Sequence, residues 1–194
     1  MGRPRTMNPQ KVLDLAMTEY WHSDVTEVSV NAICKKAEIS KPSLYREFGS
    51  EDGLMRAALD QYLEDILPKV FNIFAEDVDL KNTMAALIEY ACDHPTTEYG
   101  CLFYKMHAAR HRVGPQTRER VEEMVALSRT SFAELLESRR QAGDWNSTMS
   151  SELAARYLVD QIGFALMQRA SGEDPEGIRE TLNLALSAID GPRA

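Results

Sequence analysis

An all-α fold is predicted for this chain on three observations. Apolar residues recur at three- and four-residue spacing along nearly every segment, a helical rather than a strand period. Residues that favour helix starts, such as Ser40, Ser50 and Asp174, sit just ahead of those runs. Glycine and proline mark the breaks between them, at Gly114-Pro115, from Gly143 to Ser151 and from Gly172 to Asp174.

The elements follow in order. Gly2-Arg3-Pro4-Arg5 forms a flexible basic arm, and a first helix carries Val12, Leu13, Ala16, Met17 and Tyr20 on one face. A second helix places Val30, Ile33, Cys34 and Ala37 together, and a short third follows Ser40 with Leu44 and Phe48 inward. Pro42 falls in that helix's first turn, where its missing N–H is harmless. Gly49-Ser50 closes the third helix and caps a fourth, whose Glu51 and Asp52 favour the helix dipole. The fourth carries Leu54, Ala58, Tyr62 and Ile66 and is expected to kink or stop at Pro68. Further helices are expected near 80–93, 100–111 and 115–142. Two apolar stripes end the chain. One runs from Leu153 through Ile162 to Leu166, and the other from Ile178 through Leu182 to Ile189.

A chain of 194 residues with 44% hydrophobic content suffices for a packed core. No run approaches 18 consecutive apolar residues, and the N-terminus lacks a charged-then-apolar signal pattern, so a cytoplasmic protein without a membrane partner is expected. Three cysteines, Cys34, Cys92 and Cys101, are odd in number and irregularly spaced, which argues against a disulfide framework. The net charge of −8 is unevenly spread. Residues 1–50 hold seven Lys or Arg against six Asp or Glu, while the remaining 144 carry a net −9. Contact with a polyanion therefore belongs to the N-terminal quarter.

The segment from Ser29 to Phe48 carries the strongest functional signal. Two helices of about two turns flank Glu38-Ile39-Ser40, a geometry that projects the second helix's first residues into a DNA major groove. Its exposed positions are Lys41, Ser43, Tyr45 and Arg46. A cation and hydroxyls suit phosphate contacts, and Arg46 can reach a guanine edge.

At these residues the chain closely resembles the TetR family of transcriptional regulators. The matching stretch runs from Val12 to about Leu59. It includes Val30-x-x-Ile33-x-x-x-Ala37, Ile39-Ser40-Lys41, Ser43-Leu44-Tyr45 and Phe48-Gly49-Ser50. The resemblance implies an all-α homodimer of about nine helices per chain. Residues 1–52 would form the helix-turn-helix domain and 53–194 the ligand-binding and dimerisation domain. It implies DNA contacts from Arg3, Arg5, Ser29, Ser40, Lys41, Pro42, Ser43, Tyr45 and Arg46. Three positions depart from the family pattern. Glu38 replaces a common glycine, and a left-handed Glu38 carries strain of about 1–2 kcal/mol. Glu47 and Glu51 replace residues that do not repel phosphate, which shifts weight onto the operator sequence and onto Arg3 and Arg5.

Beyond residue 60 only architecture carries over, apart from Gly100-Cys101-Leu102-Phe103, which resembles the start of a sixth helix in many members. Residues 90–111 are rich in aromatic and sulfur side chains. A cavity formed by Tyr90, Cys101, Phe103, Tyr104 and His107 with Met124, Phe132, Phe164 and Met167 would bind a largely apolar or aromatic effector. His107 and His111 lie four apart as two metal ligands do, but the zinc-protease glutamate is missing and neither Cys92 nor Cys101 completes a standard spacing. Neither a metal nor another cofactor is expected. Catalysis by Cys101 with His107 or His111 lacks an elbow, a glycine-rich loop or an acidic orienting group, so no enzyme is expected. The expected function is repression at a palindromic double-stranded operator, released by a small molecule. Alternatives are a redox- or metal-responsive repressor using Cys101 or His107/His111, and a helical interaction module that no longer binds DNA.

Overall fold

The computed structural model describes residues 7–76 and 78–190. Among them the architecture is all-α, with α1 (Pro9–His22), α2 (Val30–Lys36), α3 (Lys41–Phe48), α4 (Glu51–Ala75), α5 (Leu80–Asp93), α6 (Leu102–Ala108), α7 (Pro115–Ala142), α8 (Ser151–Ala170) and α9 (Pro175–Ile189). A single 3₁₀ turn, Pro95–Thr97, joins α5 to the segment before α6.

Local chemistry sets most of these starts. Side-chain oxygens of Asn8, Ser29, Ser40, Ser50, Asp79, Ser150 and Asp174 each accept a hydrogen bond from an N–H in the first turn that follows. Two expectations are corrected. α4 does not stop at Pro68 but runs on to Ala75. Pro68 and Glu64, whose carbonyl loses its partner, both lie on the solvent-exposed face, where an unpaired acceptor is open to water. The sixth helix is shorter than 100–111: a left-handed Gly100 precedes it, and the chain turns away after Ala108.

The buried side chains form two clusters. One extends from Val12, Tyr20, Ile33 and Leu44 through Leu59 and Tyr62 of α4 to Leu102, Met106, Val121 and Ile178. The second gathers Met84, Phe132, Leu136, Trp145, Leu158 and Ile189 among α5, α7, α8 and α9. Trp145 anchors it, donating Nε1–H to the Ile189 carbonyl at 3.0 Å while the Arg140 guanidinium lies 4.4 Å over its ring. No helix of the described residues is long and apolar enough to cross a membrane.

Candidate nucleic-acid interface

The turn between α2 and α3 is built from backbone hydrogen bonds. Ala37 donates to the Ile33 carbonyl at 2.8 Å, and Ile39 donates to that of Cys34 at 3.0 Å. Reaching Ile39 in this way requires a left-handed residue between them, and Glu38 supplies it at φ 54°. An L-residue with a Cβ pays for that conformation with about 1–2 kcal/mol of strain. Leu44, fully buried, points α3 inward. Pro42, Tyr45 and Arg46 radiate from the opposite side and are exposed, while Lys41 and Ser43 stand at its half-buried edges.

Most of the predicted contacts therefore lie on one outward edge of a short helix. Ser40 and Ser43 are also occupied locally. Ser40 Oγ accepts from the Ser43 N–H at 3.3 Å, and the two hydroxyls lie 2.9 Å apart. Ser29 is exposed at the start of α2, where its Oγ accepts from Ala32 N–H at 3.2 Å. Arg3 and Arg5 lie outside the described residues. Glu47 and Glu51 are exposed near the end of α3 and the start of α4, and Lys36 is held by Glu19 at 2.6 Å. Positive charge on this edge thus rests mainly on Lys41 and Arg46.

Sequence reasoning missed what steadies this headpiece on the body. Asp52 in the first turn of α4 reaches the start of α7, 65 residues away. Its carboxylate accepts from Gln116 N–H at 2.8 Å, Thr117 N–H at 3.1 Å and the Thr117 hydroxyl at 2.7 Å. It thereby serves α7 as a cap that Gly114, having no side chain, does not supply. A second junction joins α1 to α6. Trp21 donates its indole N–H to the Gly100 carbonyl at 2.9 Å, and the Lys105 ammonium donates to the Trp21 carbonyl.

The nine predicted effector residues do not converge on one cavity. Tyr104, His107, Phe164 and Met167 line a space of about 210 Å³ between α6, α7 and α8. Met124 and Phe132 instead border a crevice of about 40 Å³ between α4 and α7. Tyr90 turns to the 3₁₀ turn, its hydroxyl 3.2 Å from that of Thr96. Phe103 is core, packed against Tyr104 with ring centroids 4.7 Å apart. Cys101 is buried beside Tyr62, and burial pushes its thiol up, away from the thiolate that redox sensing requires. Among the described residues, no three His, Cys, Asp or Glu side chains gather as a metal site needs.

Residues 12–58 match the family model described as bacterial regulatory proteins, tetR family. The chain is 25% identical over 150 residues to the HTH-type transcriptional repressor KstR2 of Rhodococcus jostii, covering 77% of this chain and 74% of that protein. It is 24% identical over 160 residues to the HTH-type transcriptional repressor BdcR of Escherichia coli, covering 80% and 81%. Among solved structures, it superimposes with a TM-score of 0.79 on a cysteine mutant of the TetR family transcriptional regulator CifR complexed with 26 bp operator DNA. That pair shares 25% identity over 97% of this chain and 100% of the other. The reduced form of Escherichia coli NemR gives a TM-score of 0.80 at 16% identity, over 95% and 98%.

Proposed function

Because the chain belongs to the TetR family of transcriptional regulators, we propose that it acts as a homodimeric repressor which holds a palindromic operator until a small molecule releases it. The observation that carries this reading is the aspect of α3. Leu44 seats the helix in the core while Pro42, Tyr45 and Arg46 stand clear of the protein, as a helix entering a groove must. In this reading Lys41, Ser40 and Ser29 bind phosphate, and Tyr45 and Arg46 reach base edges. Residues 1–52 serve as the reading head and 53–194 as the sensing and pairing body.

Two recognition helices about 34–36 Å apart are needed for two half-sites, and α8 and α9 offer the pairing surface. Leu153 and Phe164 on α8 and Leu184 on α9 are large apolar side chains left exposed, at 46%, 58% and 71%. Ligand binding favours a dimer with a different helix separation and lowers operator affinity by the difference in its binding energy for the two forms. The fourth helix touches both regions and transmits the change.

The test is a salt titration of the full-length chain on its own upstream region and on random DNA, read by fluorescence anisotropy. Specific binding should fall with a log–log slope of about 0.9 for each phosphate contacted. Lys41→Ala should reduce that slope by about one contact, whereas Arg46→Ala should narrow the gap between specific and random DNA. Affinity for both DNAs that is unchanged by either variant refutes the assignment.

A further inference from the structure

Residues 99–118 carry Lys105, Arg110, Arg112 and Arg118 and no Asp or Glu, a cationic exception in a strongly acidic body. Lys105 is engaged by the Trp21 carbonyl. Among the described residues none of the three arginines forms an ion pair. Carbonyl oxygens orient two of them instead. Arg118 donates Nε–H to the Arg110 carbonyl at 3.1 Å and Nη2–H to that of Val113 at 3.4 Å, and Arg110 donates to the His107 carbonyl at 3.3 Å. A guanidinium has more donors than these carbonyls use, so the charge and part of the fork stay available. Arg112 and Arg118 are exposed, and Arg110 is half-buried.

Two contacts set this cluster beside the reading head. Only Gly49 and Ser50 separate the end of α3 from the start of α4, whose Asp52 holds the N–H groups of Gln116 and Thr117 at 2.8 and 3.1 Å. Gly114 lets the α6–α7 loop close on that carboxylate, since a Cβ there would meet its carbon at 2.3 Å. On the other side the charge of Arg112 reaches the loop between α1 and α2. Hydrogen bonds from the Thr26 N–H and hydroxyl hold Asp24 below the ordinary carboxylate range, and Arg112 adds to them. The cluster thus adjoins both the loop that leads into α2 and the end of α3. A helix in a major groove about 12 Å wide is flanked by two phosphate strands. Exposed Glu47 and Glu51 repel the strand beyond the end of α3, and the α6–α7 loop brings cations to that same end.

We propose that Arg112 and Arg118 bind phosphates of the DNA backbone flanking each half-site, outside those reached from α2 and α3, so that the body contributes to the footprint. The proposal rests on the repressor reading and extends its DNA surface to a second element. Both contacts are to phosphate, so they add affinity and salt dependence without reading sequence. Arg110, half-buried behind them, lends its carbonyl to Arg118 and holds that side chain in place.

The test compares the native full-length chain with Arg112→Gln/Arg118→Gln and Arg112→Lys/Arg118→Lys in salt titrations on operator and random DNA. The Gln pair should lower the log–log slope by about 1.8, two contacts' worth, and weaken both DNAs alike by about fivefold per contact at 0.15 M salt. The Lys pair keeps the charge and should keep the slope. Ethylation interference on the operator should lose outer phosphates in the Gln pair that Lys41→Ala leaves in place. Should the Gln pair not fold, Arg112→Gln alone should lower the slope by about one contact, because the Arg112 side chain makes no hydrogen bond among the described residues. An unchanged slope in the Gln variants, an equal loss in the Lys pair, an unaltered interference pattern, or a loss confined to operator DNA overturns the proposal. A chain that binds operator with any of those results loses only this surface and keeps its repressor reading. One that binds neither DNA loses the reading itself and this surface with it.

Discussion

Removing the Asp52 carboxylate measures how firmly the reading head is fixed to the body. Asp52→Ala deletes the acceptor for two backbone N–H groups at the start of α7 and for the Thr117 hydroxyl. Gln116 is exposed and finds water; the Thr117 hydroxyl keeps only the Asp52 backbone carbonyl at 3.3 Å, and the N–H of fully buried Thr117 loses its acceptor. Losing a cap together with a charge-assisted bond to a buried donor costs about 2–3 kcal/mol. For a chain of this size that lowers Tm by about 5–10 °C. Gly114 provides an internal control, because a Cβ there would meet the Asp52 carboxyl carbon at 2.3 Å and its oxygens at 2.5 and 2.6 Å. Gly114→Ala in the native chain must expel a carboxylate pinned by three hydrogen bonds, at a cost of about 1–3 kcal/mol. In the Asp52→Ala background the obstacle has gone, and the same change should cost close to nothing. Melting curves of the four proteins, followed by far-ultraviolet circular dichroism, give the cycle. A coupling of about 1–2 kcal/mol is expected. Strictly additive shifts, or an Asp52→Ala protein that melts with the native one, would refute the capping argument.

Three more outcomes follow from particular contacts. Gly163→Ala should destabilise by about 1–3 kcal/mol in a urea titration, since its Cβ would meet the Tyr104 ring at 2.4 Å and break the bond to Val159. His107 titrates below its ordinary value when folded, so the unfolded chain takes up more protons as pH falls through about 6.5 and stability declines there. His107→Leu should flatten that decline, and an identical pH profile would count against it. Thiol titration of the native chain with a disulfide reagent should be slow at Cys34, Cys92 and Cys101, all buried with thiols pushed up, and fast only in denaturant.

Helix starts were legible because a cap is a local event. Ser40, Ser50 and Asp174 act within four residues, and each stands where its helix begins. The left-handed Glu38 was legible only through the resemblance, because the family commonly has glycine at that position; nothing in the residue itself announces a positive φ. The stop offered at Pro68 failed because proline reports a lost hydrogen bond and not whether the freed carbonyl sits on an exposed face. The effector set was read from composition. Apolar periodicity tells which side of a helix is buried and not which neighbour it meets. Met124 and Phe132 thus went to one crevice, Tyr104 and His107 to another cavity, and Phe103 to the core. Asp52 looked like a dipole partner for its own helix. Its engagement with Thr117 depends on a chain separation that no short-range pattern encodes.

The cluster that runs unbroken from Val12 and Leu44 to Leu102 and Ile178 bears on how such a head can be exchanged. A chimera that grafts residues 1–52 onto another body would bring Ala16, Tyr20 and Ile33 without Leu59, Tyr62 and Leu102, against which they close. Its seam would open apolar surface to water wherever the two parents differ in shape. Grafts that carry the inner face of α4 and the start of α6 along with the head should fold, and those cut at the motif's edge should aggregate. Transplanting operator preference into this chain is therefore better done by changing Tyr45 and Arg46 in place.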